Sequence, residues 1–538
     1  MNILNALEQS SRRRLFRFIL LAVGAVLCAL TLVTQKLDML EWIALVPSAV
    51  ALIDIARDGS VRKRGLYGYG FFFFMCFYAV NYHWFANLYP LDFVDGMTKP
   101  AAVAVVLAGC LGLSLLQAVS AGVMFVIFGL AARRESFSRR PYLCALFIAA
   151  LWAILEWSQT IGWVGVPWAR LAIGQTGLLL GAQSASLFGS CFVTFLIVFV
   201  NFLIAYALVS LTGKGLMALI GAGVVAANFA FGAFAYFKDT KDGDEVRISV
   251  VQGNISSQEK WDFSLLFKTL EVYEKYTAEA AEQGARIVVW PESALPYNLT
   301  EDLSLNLFVR QTAKKYNVTL LVGAFTTQGG EEYNSIITAL PDGSLHETVY
   351  SKRHLVPFGE YVPMRSLFEV LIPPLTELSM LSYDLAESED TDVIVIDGVS
   401  IGSLICFDSI YDELARASVA DGAQILAVST NDSWFSDSAA LDMHNAQASL
   451  RAIENGRYTV RAANTGISSV IEPNGKTISS LGALEEGQLT ESVRTQNGRT
   501  LYSYVGNLFV YLCVIFAVMC IFCEKISQKI HKALDNKK

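Results

Sequence analysis

Charge is scarce in this chain. Only 17% of its 538 residues are Asp, Glu, Lys or Arg, and 54% are apolar, against about 25% and about 45–50% in ordinary soluble proteins. A purely soluble protein is excluded on that balance. There is also no basic excess: 41 Lys and Arg against 49 Asp and Glu leave a net charge of −8, so no global field exists to hold a phosphate polymer and nucleic acid is a poor partner. The five His residues show no metal-ligand spacing and no Cys-x-x-Cys occurs, so no metal is expected. Internal repeats and low-complexity segments are absent. Disorder is excluded as well, because a chain with 33 Phe and 21 Tyr buries ample apolar surface to offset its ordering entropy. At roughly 150 residues per domain the length allows three or four domains.

The apolar residues are unevenly spread. Long apolar stretches broken by short polar joints fill 14–237, ordinary soluble composition fills 240–500, and one apolar run returns at 503–523. A helix needs about 20 mainly apolar residues to cross the hydrocarbon core. Crossings are expected near 15–34, 39–55, 66–88, 101–132, 142–158, 186–211, 215–237 and 503–523, eight in all. Runs such as Ala101 to Val126 carry no charged stripe to face water, which argues against a large soluble helical core. Leu20 to Val33 is followed by no small-x-small cleavage pattern, so the first crossing is read as a retained anchor.

Orientation follows from Lys and Arg in the joints. The N-terminus offers Arg12, Arg13, Arg14 and Arg17; Arg57, Arg62, Lys63 and Arg64 follow the second crossing. Arg133, Arg134, Arg139 and Arg140 follow the fourth, Lys214 the sixth, and Lys525, Lys529, Lys532, Lys537 and Lys538 the eighth. The opposite joints hold little beyond Lys36, Lys99 and Arg170. Both termini are therefore expected in the cytoplasm, with 238–502 facing outward. The domains read as 1–237 (seven crossings), 238–502 (outward domain) and 503–538 (eighth crossing and basic tail).

Within the outward domain strand-like and helix-like segments alternate. Strands are expected at 246–253, 286–290, 318–325, 392–397, 400–406 and 424–429, and helices at 263–282, 303–316, 410–420 and 438–454. Asp342-Gly343 and Pro473-Asn474-Gly475-Lys476 have the composition of hairpin turns. The mixture argues for one layered α/β domain. The segment 363–381 is apolar yet punctuated by prolines, the pattern of a lipid-facing arm.

Eight of the nine cysteines lie in or at the edge of the crossings, where a thiol is usually a small hydrophobe. Only Cys406 lies in the outward domain. It has no partner there for a disulfide, and an unpaired thiol in an oxidising compartment is a liability, so a functional thiol and an inert buried cysteine are the two readings. A thiolate nucleophile needs a proton acceptor and donors for the oxyanion. Glu292, in Trp290-Pro291-Glu292-Ser293, and Lys352, opening KRHLVPFGEY, stand at strand ends; singly, each also fits a solvated surface charge.

Taken together and in order, Glu292, Lys352 with its LVPFGEY segment, and Cys406 ending a strand resemble the Glu-Lys-Cys triad of the nitrilase (carbon-nitrogen hydrolase) superfamily. With crossings on both sides, the whole chain resembles the apolipoprotein N-acyltransferase family of that superfamily. The likeness extends to Val251-Gln252-Gly253-Asn254-Ile255 with Trp261, to Asn431-Asp432-Ser433-Trp434-Phe435, and to Glu156-Trp157 and Pro167-Trp168. It implies an α-helical membrane bundle of eight transmembrane helices with an inserted nitrilase-like α-β-β-α sandwich. It implies an inner-membrane acyltransferase without cofactor, its catalytic domain in the periplasm. Cys406 would take an acyl chain from a phospholipid as a thioester and pass it to the α-amine of a diacylglyceryl-cysteine apolipoprotein. Glu292 would be the base, Lys352 and the Phe407 N–H the oxyanion donors, and Glu360 the orienting acid. Asp408 stands where many relatives carry Glu, and Phe407 where Tyr is frequent. Trp261 and Trp434 are pocket or core aromatics.

Two expectations concern protons: Lys352 should lower the Cys406 pKa, and burial should raise that of Glu292. In the bundle, Glu156 is either a functional intramembrane acid or a group reaching the interface, and His83-Trp84 fits an interfacial anchor. Two other functions are weighed. A membrane-tethered nitrilase-type amidohydrolase would pass its acyl group to water and would need neither anchors nor arm. A transporter or sensor would show paired charges or broken helices within the crossings, which are poor in charge apart from Glu156 and Asp54, and would leave the triad unexplained.

Overall fold

The computed structural model describes residues 10–91, 97–162, 165–210, 212–238, 243–256, 260, 262–371 and 383–535. Two compact units result, one made of Met1–Ala86, Ala104–Phe237 and Val505–Lys538, the other of Asn87–Val103 and Lys238–Tyr504.

The first unit is helical. Among the described residues six helices are long and apolar enough to cross a membrane: Ser11–Thr34, Asp38–Arg57, Lys99–Ala132, Pro141–Ser158, Ser190–Val209 and Lys214–Tyr236. Leu179–Phe188 and Leu508–Phe522 are shorter apolar helices. The run expected at 66–88 is helical over Lys63–Asn81, and a 3-10 segment, His83–Leu88, follows. The last helix starts at Leu508 and continues to Asp535, because Gly506 takes a left-handed φ of 54° and separates it from the short helix Leu501–Val505.

Several buried charged groups inside this unit are paired. Arg17 is buried between Asp54 and Asp58, at 2.7 and 2.8 Å, and Arg13 also reaches Asp54. Part of the charge that marks the N-terminal joint thus binds the first helix to the second. Glu156 is buried and accepts from the Leu171 N–H at 3.0 Å, the Thr194 hydroxyl at 2.7 Å and the Trp152 indole at 3.3 Å. It is closed inside the bundle and does not reach outward. Trp84 is likewise buried, stacked on Phe85 and tilted against Trp168, while His83 is exposed; the indole packs rather than standing out as an anchor.

The second unit contains two sheets. Strands β1 (Glu245–Gln252), β2 (Ile287–Val289), β3 (Leu295–Asn298), β4 (Thr319–Gln328), β5 (Glu331–Ala339) and β6 (Tyr350–Ser351) join β13 (Gly487–Arg494) in the order β13-β1-β2-β4-β5-β6, with β3 on β4. Strands β7 (Ile394–Ile396), β8 (Val399–Ile405), β9 (Ile425–Thr430), β10 (Tyr458–Ala463), β11 (Ser468–Ile471) and β12 (Thr477–Leu481) form the other, in reverse numerical order. Ile248, Val250, Ile287, Val289 and Leu321 of the first sheet share one buried cluster with Ile401, Ile405, Ile425, Ala427 and Val460 of the second. On its other face the first sheet buries Val251, Val288 and Leu320 with Tyr273 and Val309, from the helices Leu266–Glu282 and Leu303–Tyr316. Strands buried on both faces read as continuous apolar runs rather than alternating ones, which is why Ile287–Val289 stands out in the sequence.

The expected strand positions hold to within a few residues, and Pro473 to Lys476 does turn between β11 and β12. The pairing of β13 antiparallel to β1, Gln252 opposite Gly487, is new. Of the arm read over 363–381, the helix Arg365–Leu371 is described; residues 372–381 lie outside the described residues, as does Trp261.

Candidate active site

In a parallel ladder the residues just past the carboxyl ends of neighbouring strands gather at one edge. β1, β2 and β4 run parallel, as do β8, β9 and β10. Glu292 follows β2, Cys406 follows β8, and Asn431 and Asp432 follow β9. Lys352 follows β6, whose neighbour β5 is antiparallel to β4.

The site loops are held in unusual backbone conformations. Cys406 has φ 48°, Ser293 φ 44°, Asn254 φ 49° and Phe358 φ 62°. Each left-handed non-glycine residue costs about 1–3 kcal/mol and persists only when its surroundings hold it. Cys406 opens the 3-10 turn Cys406–Ile410. Gly323 on β4 admits the Pro291–Glu292 loop: a Cβ there would stand 2.2 Å from the Pro291 carbonyl oxygen and 2.7 Å from Glu292 Cα.

Lys352 is buried between two carboxylates. Its Nζ lies 2.8 Å from Glu292 Oε1 and 2.9 Å from Glu360 Oε2. The Asn334 amide, on β5, donates to both acids, at 2.8 Å to Glu292 and 2.7 Å to Glu360. The Asn431 N–H donates to Glu292 Oε2 at 2.8 Å, and the Val356 N–H to Glu360 Oε2 at 2.8 Å. Glu360 therefore sits within the cluster, as expected of an orienting acid. Asp408 is buried two residues beyond Cys406, and its hydrogen bonds lie outside that cluster. It accepts from the Ile405, Arg353 and His354 N–H groups and from the Tyr350 hydroxyl at 2.8 Å, tying the nucleophile turn to the Lys352 loop despite its short side chain. Phe407 packs edge-on against Tyr411, and Trp434 lies half-buried in the turn Ser433–Phe435.

Both proton expectations are reversed. Burial pushes the Cys406 thiol well up, and the negative charge of Glu292 adds to it, outweighing Lys352. Burial also works to raise Glu292, but Lys352, Lys260 and Asn334 together hold it below the ordinary carboxylate range. Burial pushes Glu360 up, and its neighbour Glu292 opposes its ionisation against the pull of Lys352. Lys352 resists burial and stays firmly protonated because Glu292 and Glu360 face it. These opposed shifts favour a protonated thiol and an ionised Glu292.

Several participants are absent from the sequence reading. Asn334 bridges the two acids. Lys260 is buried, donates to the Glu292 carbonyl oxygen at 3.0 Å, and is lowered to about 7 by burial. His444 places Nε2 3.0 Å from the Ser409 hydroxyl and 3.3 Å from the Cys406 carbonyl oxygen. Its position twelve residues after Asp432, on the helix Ala439–Asn455, was the only available signal.

Comparison with known proteins places the chain in a family. The family model for carbon-nitrogen hydrolases matches residues 247–501, and that for the apolipoprotein N-acyltransferase N-terminal domain matches 24–203. Apolipoprotein N-acyltransferase of Gloeobacter violaceus is 31% identical, covering 95% of each chain. That of Geobacter metallireducens is 28% identical over 93% of this chain and 94% of its own, and that of Shewanella oneidensis 29% over 94% and 95%. A solved amidase variant of the nitrilase superfamily from Nesterenkonia AN1 is 20% identical, covers 51% of this chain and 98% of its own, and has a TM-score of 0.39. Sharing both matched regions and nearly its full length with these proteins, the chain belongs to the apolipoprotein N-acyltransferase family.

Proposed function

We propose that the protein is a multi-pass inner-membrane enzyme that moves an acyl chain from a phospholipid to the α-amine of a diacylglyceryl-cysteine apolipoprotein. The observation that carries this reading is the pairing of Lys352 with Glu292 and Glu360 in the same buried site as the partly buried Cys406, in a chain of this family. Eight crossings, an α-β-β-α sandwich facing the periplasm and cytoplasmic termini complete the reading, supported by the helix positions and the basic joints.

The chemistry is a two-step exchange. Glu292, ionised in the free site, takes the Cys406 proton as the sulfur attacks the ester carbonyl; burial of the thiol keeps that proton in place until a substrate arrives. Protonation of Glu292 removes one of the two charges holding Lys352. The ammonium then turns to the developing oxyanion beside the Phe407 N–H, a donor in the first turn of a helix, where N–H groups lack intrahelical partners. Glu360 and Asn334 keep Lys352 in reach. Glu292 returns its proton to the leaving lysophospholipid oxygen, leaving a thioester. The amine of the second substrate attacks that thioester, losing its proton to Glu292, and an amide forms as the thiol is restored. Asp408 fixes the turn that aims the sulfur, and Trp434 stands in the loop that follows Asn431.

To test this, the full chain in detergent is mixed with phospholipid carrying a labelled acyl chain, and intact mass and peptide mass are followed. The expected result is one acyl group on Cys406, discharged by a diacylglyceryl-cysteine peptide and stable in water. An acyl group on another residue, or rapid release of free fatty acid, overturns it in favour of hydrolysis.

A further inference from the structure

Behind Cys406 lies a second buried charge cluster that the scheme above does not use. Asp432 Oδ2 accepts from Arg461 Nη2 at 2.6 Å, and its Oδ1 lies 2.9 Å from both His444 Nδ1 and the Thr430 hydroxyl. Thr430, Asp432, His444 and Arg461 are all buried. Thr430 is the last residue of β9, and Cys406 the residue just past the end of its parallel neighbour β8, one step beyond the Ile405–Ser429 pair, so the sheet sets the two residues side by side. The Thr430 hydroxyl works to favour the ionised sulfur.

A hydroxyl carries one hydrogen and two acceptor sites. With the thiol protonated, S–H donates to Thr430 Oγ1 while the Thr430 O–H donates to Asp432. With the sulfur ionised, the same O–H turns to the sulfur. Asp432 retains Arg461 in either state, and Arg461 with His444 holds its carboxyl far below the ordinary range against the effect of burial, so it is always an acceptor. We propose that Thr430 is a two-state partner of the nucleophile, its hydroxyl accepting from the Cys406 thiol and donating to the thiolate, with the Asp432–Arg461 pair as the resting place of its hydrogen. The proton lost by sulfur goes to Glu292, as in the mechanism proposed above, on which this inference rests. The Thr430 hydrogen never leaves its oxygen, so the turn needs no further proton acceptor.

The charged groups acting on this sulfur are Glu292, Lys352, Lys260 and Asp432, with Asp408 two residues on and His444 at the Cys406 carbonyl oxygen. Of these, Glu292 and Asp432 disfavour the thiolate, so a neutral donor between Asp432 and the sulfur stabilises it where a second carboxylate oxygen would not. The Thr430 contact indeed works to lower the thiol.

The test compares wild type, Thr430→Val and Thr430→Ser in the full chain, measuring alkylation of Cys406 by iodoacetamide as peptide mass against pH. One hydrogen bond to a charged group is worth about one pH unit, partly offset because a more basic thiolate is more nucleophilic. Thr430→Val should therefore alkylate about three- to tenfold more slowly at every pH where the rate still climbs, and form the acyl-enzyme more slowly by a similar factor, whereas Thr430→Ser keeps wild-type rates. If the Val variant does not accumulate, Thr430→Ala carries the same expectation. Equal alkylation in Val and wild type, or equal slowing in Ser and Val, overturns the proposal. Failure of the wild type to form any acyl-enzyme would sink the functional reading instead, and the alkylation comparison would still decide the role of Thr430.

Discussion

Glu156 and Glu292 are both buried carboxylates, one in each unit, and their partners differ in kind. Glu156 accepts from an indole, a hydroxyl and a backbone amide, all neutral and all fixed in helices or the turn beside them. Glu292 accepts from one amide side chain, one backbone amide and an ammonium that it shares with Glu360. Neutral donors fasten a carboxylate in place. A shared cation leaves it able to change charge, because Lys352 has a second acid to stay with when Glu292 takes up a proton. A buried ion pair is weak evidence for stability and is often retained for another purpose; here that purpose is a proton acceptor kept ionised beside a thiol kept protonated.

The contrast breaks most sharply at Glu292. Glu292→Gln keeps the size but has one acceptor oxygen where the carboxylate uses two, so it keeps either Asn334 or the Asn431 N–H and not both, and it cannot take the thiol proton. Acyl-enzyme formation should fall by about 10²–10⁴-fold, read per folded molecule by single-turnover mass analysis of Cys406. Undiminished acylation would place proton removal on another group. Glu156→Ala should do the opposite. It leaves Thr194, Leu171 and Trp152 donors buried and unpaired, at about 1–3 kcal/mol, so the melting temperature falls while acylation per folded molecule is unchanged; Glu156→Gln should recover most of the loss. If Glu156→Gln instead slowed acylation in fully folded protein, Glu156 would belong with Glu292 rather than opposite it.

How much of this was legible beforehand depends on whether the signal is local. Hydropathy runs reveal helices because each crossing must be apolar along its own length, and Val246 to Gly253 reveals a strand by its β-branched residues. Glu292, Lys352 and Cys406 were legible as positions because each follows or opens a distinct run. Asn334, Thr430 and Lys260 were not. One Asn inside Glu331–Ala339 or one Thr at the end of Ile425–Thr430 looks like any polar residue at a strand's edge, and only the register against β4, β6 and β8 turns them toward a shared point. The pairing of β13 with β1 joins residues more than two hundred positions apart, and no local pattern marks it. The two proton shifts were misread for a related reason. Burial and cationic neighbours act with opposite signs on both Cys406 and Glu292, and their sum depends on distances: Glu292 has Lys352, Lys260 and Asn334 around it, whereas Cys406 has Lys352 and the Thr430 hydroxyl against burial and two acids.

Lys260 sharpens the same contrast at a smaller scale, since it is a buried lysine that donates to a neutral carbonyl oxygen. Burial lowers it to about 7 from an unfolded value near 10.5, and Glu292 recovers only part of the loss. Between those two values the unfolded chain binds more protons than the folded one, so stability rises with pH through that window. Below about 7 the ammonium is present in both states and its full burial cost is borne by the fold. Lys260→Met removes that cost. The variant should melt above wild type at pH 6, the gain should shrink as pH rises from 7 toward 10, and it should vanish once Lys260 is neutral in both states. Melting curves at three pH values check this, best followed by a signal from the strand-rich unit. A gain that persists unchanged at pH 10 would mean that Met simply packs better. A loss at pH 6 would mean that the Glu292 carboxylate holds Lys260 as a true ion pair, making the site a cluster of two ammoniums and two acids.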